Sequence, residues 1–216
     1  MSVPEGWLSR FSLRVALQVA GALALVLLVV AAGWFWNHRR ESRGLLALAQ
    51  ASALAQQAES PASSPETREK AVQALEAVMT EYPRLSALPQ VAYQLGNLRY
   101  GAGQYAPARG AYEVALAKGA TGTVRTLSAL GIGYCWEAEK AYDKAVTAYE
   151  AAARSLGAKD FLYEEALLDL ARAQELAGKP EAAVETYRRI IKEMPDSRRA
   201  DEVQTKLAYL ESRSRK

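Results

Sequence analysis

The hydrophobic positions of this chain fall into two regimes. From Val15 to Trp36 the sequence runs VALQVAGALALVLLVVAAGWFW, 22 residues without a charge and with Gln18 as the only clearly polar one. Apolar residues cover every helical face there, so no amphipathic period is visible. At the helical rise this run spans roughly 33 Å, enough for a hydrocarbon core of about 30 Å. Arg14 stops it on one side and His38-Arg39-Arg40 on the other. Trp34 and Trp36 sit at its C-terminal end, where amphipathic rings favour a membrane interface. Beyond it the pattern changes to helical amphipathicity with few strand signals. Leu45 to Ala58 reads as a helix that continues the apolar run with little break. Glu59-Ser60-Pro61-Ala62-Ser63-Ser64-Pro65 reads as a loop. Residues 197–211 read as a last amphipathic helix with Val203, Leu207 and Leu210 on one stripe.

Between the loop and that last helix the pattern repeats. Ala71-Leu75-Val78, Ala108-Tyr112-Ala115, Ala145-Tyr149-Ala152 and Ala183-Tyr187-Ile190 share one spacing, and their leading alanines lie 37, 37 and 38 residues apart. Pro83 and Pro195 each follow the alanine of their unit by twelve residues. A second half-pattern precedes each of the later three: Ala92-Leu95-Gly96, Ala129-Ile132-Gly133-Trp136, and Leu167-Leu170-Ala171. Gly103 and Gly178 mark the turn between halves. Each unit is thus two helices that cannot bury an apolar face alone, so units must stack. Small residues at Gly96, Gly133, Ala108, Ala145 and Ala183 let paired helices approach closely, and Leu95, Tyr112, Tyr149 and Tyr187 fill the space between pairs.

These residues resemble the tetratricopeptide repeat (TPR) family, most closely over 92–118. The units are three or four residues longer than the usual 34, Arg99 replaces a frequent aromatic, and Pro180 occupies a turn aromatic position. The fold expected is all-α: one N-terminal transmembrane helix, then a TPR α-solenoid of about four helical hairpins with a C-terminal capping helix. The segments are 1–14, a short N-terminal piece; 15–36, the membrane span; 37–65, a juxtamembrane helix and Ser/Pro linker; 66–196, the repeats; and 197–216, the capping helix and basic tail. The first unit has no clear signature in its first helix, and 44–58 is its provisional assignment.

Charge changes the picture by where it sits. The chain carries a formal +3, and residues 1–43 hold all of the excess, with five arginines against Glu5 and Glu41. The remaining 22 basic and 22 acidic residues balance. The mildly basic character therefore reports a membrane segment, and no basic face for nucleic acid is expected. A cleaved signal peptide is the alternative reading of the apolar run. Its core is longer than the usual 7–15 residues, which favours a retained anchor, although Ala31 and Gly33 mimic a cleavage site. Two arginines before the span and three after it lean slightly toward a cytoplasmic repeat domain.

Candidate chemistry is sparse. One cysteine, Cys135, leaves no intrachain disulfide, and one histidine, His38, leaves no histidine-based metal site. Cys135 reads as a small buried hydrophobe beside Trp136, and Glu164, Glu165 and Asp169 read as a solvated helix face. Gly101-Ala102-Gly103 lacks the strand context of a phosphate loop. No catalytic residue, metal, cofactor or small-molecule substrate is expected.

In the TPR family the first helix of each pair lines a concave groove, and by register the resemblance points to Tyr93, Asn97, Tyr100, Tyr134, Asp169 and Arg172, with Gln90, Gln94, Leu127, Leu130, Glu137, Glu165 and Leu168 around them. Asn97 matches a position that often bonds a bound peptide backbone. The basic carboxylate clamp of chaperone-binding relatives is absent. A groove of this composition suits proteins or extended peptide segments. The layout, with GWFWNHRRESR after the span, also resembles single-span bacterial inner-membrane TPR proteins that accompany the Sec translocon and periplasmic chaperones. That resemblance implies a non-enzymatic adaptor with a periplasmic repeat domain and translocon subunits as partners, against the charge count. The alternative is a scaffold for cell-envelope assembly or cell division, which the Pro195-Asp196-Ser197 boundary resembles.

Overall fold

The computed structural model describes residues 13–60 and 62–214; the N-terminal segment up to residue 12 and the last two residues of the basic tail lie outside these. All regular structure among the described residues is helical. The helices are α1 (Leu13–Ala58), α2 (Pro65–Glu81), α3 (Leu88–Gly101), α4 (Tyr105–Ala117), α5 (Gly122–Ala138), α6 (Tyr142–Arg154), α7 (Tyr163–Leu176), α8 (Pro180–Glu193) and α9 (Ala200–Ser214).

α1 is a single helix of 46 residues, about 70 Å long. Its first half is long and apolar enough to cross a membrane. Side chains there point away from the rest of the chain: Leu25 is 64% exposed, Leu28 67% and Trp36 75%. Its second half is built differently. From Gly44 onward a stripe of small residues, Ala51, Ala55 and Ala58, is buried against α2 and α3. One uninterrupted helix therefore serves two environments, and its second half forms the first helical hairpin with α2.

The other hairpins are α3–α4, α5–α6 and α7–α8, each stacked on the one before, with α9 closing the end against α8. Ser64 starts α2 by accepting the Thr67 amide at 3.1 Å, with Pro65 in the first turn. The core follows the alanine and tyrosine positions of the repeat. Ala71, Ala108, Ala145 and Ala183 are all fully buried. The glycines are where helix meets ring. A Cβ added at Gly133 would lie 2.3 Å from Cε1 of Tyr149, and one at Gly96 2.4 Å from Cε1 of Tyr112. Tyr112 is held from its other side by Gly131, where a Cβ would come within 2.7 Å.

The turn inside each of the last three hairpins is the same Schellman-type closure. Gln104, Ala141 and Lys179 amides donate to Arg99, Trp136 and Gln174 carbonyls at 2.9, 2.8 and 2.9 Å. The preceding residue must be left-handed, and Gly103 (φ 74°), Lys140 (φ 58°) and Gly178 (φ 71°) are. Lysine at such a position pays a steric cost that glycine does not. Lys140→Gly is therefore expected to raise stability by about 0.5–1 kcal/mol, read as a small increase in thermal midpoint.

Candidate functional site

The first helices of successive hairpins place their polar residues side by side, and the tyrosines form a ladder along them. Tyr100 lies 5.5 Å from Tyr105 and 6.5 Å from Tyr134, ring centre to ring centre. Tyr134 meets Tyr149 edge-on at 5.6 Å, and Tyr93 leans on Tyr112 at 6.0 Å. Such tilted and edge contacts suit the ring quadrupoles.

The hydroxyls of Tyr112, Tyr149 and Tyr187, the repeat-position tyrosines of the second helices, are anchored on the first helix of their own hairpin. Tyr149 donates to Glu137 at 3.0 Å and Tyr187 to Glu175 at 2.7 Å. In the α3–α4 hairpin the position of those glutamates is Tyr100, so Tyr112 donates one turn earlier, to Oδ1 of Asn97 at 2.8 Å. Burial raises the pKa of the Tyr112, Tyr149 and Tyr187 hydroxyls, so each remains a donor.

Between α5 and α7 the polar residues close on one another. Tyr134 donates to Oδ2 of Asp169 at 2.6 Å. Arg172 reaches the other oxygen of Asp169 at 2.8 Å and grips Glu137 with two bonds of 3.0 Å. Asp169 is 2% exposed, so it belongs to the interior and not to the solvated face its sequence pattern predicts. Burial raises its pKa against the opposing pull of Tyr134 and Arg172. Burial also works against the Arg172 cation, yet its bonds to Glu137 and the Asp169 charge carry its pKa upward. Farther along, Arg199 of the segment before α9 pairs with Glu165 at 3.2 Å.

The six residues picked from sequence therefore divide. Tyr134, Asp169 and Arg172 come together, but their polar groups are already engaged with the protein. Tyr93, Asn97 and Tyr100 lie on α3 with capacity left. The Tyr93 and Tyr100 hydroxyls and the Asn97 amide nitrogen bond no group among the described residues, and Tyr100 is 36% exposed. Burial raises the Tyr100 pKa, with Tyr105 adding to it, so this hydroxyl too stays protonated at neutral pH. Gln94 accepts from Ser52 of α1 at 2.8 Å, joining the first hairpin to this surface. Sequence reasoning did not pick out Ser52; with Gln94 named, helical register along 44–58 was the only signal that could have pointed to it.

Cys135 is fully buried against Ala108 and Tyr112, and burial pushes its thiol up to about 11. A nucleophile needs the thiolate, so this side chain acts as packing. Among the described residues no three His, Cys, Asp or Glu side chains gather as a metal site would require.

Comparison with known proteins agrees with this architecture. A family model described as tetratricopeptide repeat matches residues 165–197, which covers α7 from its third residue, α8 and the start of the segment after it. No curated protein matches the chain. Among solved structures, MamA 41-end from Desulfovibrio magneticus RS-1 superposes with a TM-score of 0.54 at 18% identity, over 68% of this chain and 76% of that one. Nearly identical TPR-like repeats of kinesin light chain type from Podosopora anserina superpose with a TM-score of 0.58 at 20% identity, over 79% and 85%. These likenesses establish a TPR-like solenoid fold.

Proposed function

We propose that this protein is a membrane-anchored, non-enzymatic adaptor that holds extended protein segments against the α3 face of its repeat domain. The observation that carries this reading is the contrast along the groove. On α5 and α7 the polar side chains satisfy one another, while on α3 the Asn97 amide and the Tyr100 and Tyr93 hydroxyls are left to bond something else. An extended backbone offers carbonyl and amide groups at the spacing such donors take, and tyrosine rings give contact area at low entropy cost. The apolar first half of α1 supplies the anchor, and its direct continuation into the first hairpin holds the groove close to the bilayer.

The sequence resemblance to single-span inner-membrane repeat proteins supports a periplasmic repeat domain that works beside the Sec translocon and the chaperones that receive emerging chains. A photoreactive amino acid at Tyr100 tests this in cells, with the exposed Glu113 on α4 as the off-groove control. Crosslinks from position 100 to translocon subunits or secreted chains, absent from 113, are the expected result. Crosslinks to envelope-assembly proteins would favour the scaffold reading that Pro195-Asp196-Ser197 points to. Capture of cytosolic proteins alone, or protection of the repeat domain from protease in spheroplasts, would overturn the periplasmic placement.

A further inference from the structure

The loop between α2 and α3 is fastened to α1 just past the apolar run. The Ser86 amide and hydroxyl both donate to the Glu41 carboxylate, the amide at 3.1 Å, and Arg40 donates to the Glu81 carbonyl at 3.1 Å. Gly44 allows this approach, since a Cβ there would lie 2.8 Å from Leu85. Two open cavities, of about 540 and 400 Å³, flank the resulting ridge and share Trp36, Arg40 and Tyr82. Arg84 lines the first, and Arg39 and Arg43 line the second.

The charges here are unlike those of the repeats. Among the described residues Arg68 and Arg125 do not pair with a carboxylate, but most arginines from α3 to α9 do, namely Arg99, Arg109, Arg154, Arg172, Arg188, Arg189 and Arg199. None of the four arginines at these cavities does: Arg40 bonds a backbone carbonyl, Arg39 lies 4.6 Å over the Phe35 ring, and Arg43 and Arg84 bond nothing among the described residues. Of the two carboxylates nearby, Glu41 is spent on Ser86, which leaves Glu81 alone against four guanidinium groups. Arg40 stands one helical turn, about 6 Å, beyond Trp36, which is the depth of lipid headgroups when the apolar run fills the hydrocarbon core.

The geometry points to this paired cleft as a binding site for the phosphate of an anionic phospholipid, seated on Arg40 with Arg84 beside it in the first cavity or Arg39 and Arg43 beside it in the second, and with Trp36 and Tyr82 against the glycerol and upper acyl region. Guanidinium groups bind phosphate oxygens through paired N–H donors, and interfacial tryptophan and tyrosine take the amphipathic part of a lipid. Because the loop from the repeat domain forms one wall, a seated lipid would also fix the domain against the bilayer. The inference rests on residues 15–36 spanning a membrane.

The test uses the full chain in nanodiscs of phosphatidylcholine with or without phosphatidylglycerol, followed by native mass spectrometry of the released protein. Retention of phosphatidylglycerol over phosphatidylcholine is expected, falling roughly fivefold for Arg84→Gln and again for added Arg43→Gln. Both residues are exposed and hold no structural contact, so insertion and thermal midpoint should not change. Insertion without headgroup preference, or undiminished retention by the double variant, overturns the site while leaving the anchor intact. Failure of the wild type to insert overturns the anchor reading and the site with it. Displacement of the lipid by soluble glycerol phosphate at equal concentration would assign the cleft to a free phosphate compound and overturn the lipid.

Discussion

Gly133→Ala is expected to destabilise the repeat domain by about 2 kcal/mol, while Gly110→Ala is expected to stabilise it by up to about 1 kcal/mol. The substitution is the same and both glycines are inside helices, so helix propensity favours alanine in each. The surroundings differ. At Gly110 an added methyl meets nothing within 4 Å. At Gly133 it would sit 2.3 Å from the Tyr149 ring, far inside contact distance. That ring cannot swing away, because Tyr149 is fully buried and its hydroxyl is tied to Glu137 at 3.0 Å. The hairpin must then spread, which strips contacts from α5 and α6 together. Denaturant melts of both variants check the pair, with a shift of about 2–4 °C per kcal/mol in the thermal midpoint. Gly133→Ala combined with Tyr149→Leu should recover part of the loss, since the smaller side chain makes room. A single variant as stable as wild type would mean that the close approach of α5 to Tyr149 is not what seats the hairpin.

The members of that contact were legible in the sequence, because a small residue and a tyrosine recur at fixed spacing in successive units, but their pairing was not: the sequence pattern puts the tyrosines between hairpins, and Tyr149 packs on Gly133 inside its own. The left-handed turn at Lys140 was legible in a weaker way. Gly103 and Gly178 announce their turns by residue type, but Lys140 does so only through its place 37 residues after one and 38 before the other. The fate of Asp169 was not legible. Helical periodicity reports one helix at a time, and Asp169 is buried by partners in another hairpin: Tyr134 lies 35 residues away in sequence and Glu137 reaches it only through Arg172. The same limit hid the difference between the two ends of the groove. Asn97, Tyr134 and Arg172 occupy equivalent positions in three hairpins, yet what each has left to offer depends on its neighbours across the stack. In the first of them the glutamate of later units is replaced by Tyr100, and that one change leaves an unpaired hydroxyl on α3 where α5 has a charged acceptor.

Arg172→Ala should expose what the engaged end of the groove costs to hold together. The variant leaves Asp169, 2% exposed, with no cation, and Glu137 with only Tyr149. Breaking a fully buried pair costs roughly 3–5 kcal/mol. The Arg172 side chain is 48% exposed, so solvent screens part of this and about 2 kcal/mol is expected at neutral pH. The pH dependence has a definite sign. Burial already raises the Asp169 pKa in the folded protein, and loss of the arginine that lowers it raises it further. A carboxyl whose folded pKa lies above its unfolded value binds its proton more tightly when folded, so it withdraws stability as pH rises through that window. The deficit of Arg172→Ala relative to wild type should therefore be largest near pH 7 and shrink as the pH falls toward the ordinary carboxylate range. Adding Asp169→Asn should restore most of the loss at pH 7 and flatten the pH dependence, because the amide oxygen still accepts from Tyr134 and no charge is left unpaired. Urea melts of the two variants across that range supply the measurement. A deficit that stayed the same across that range would mean that the charge on the buried Asp169 is not what Arg172 offsets, and would reopen Arg172 as a residue free to contact a bound chain.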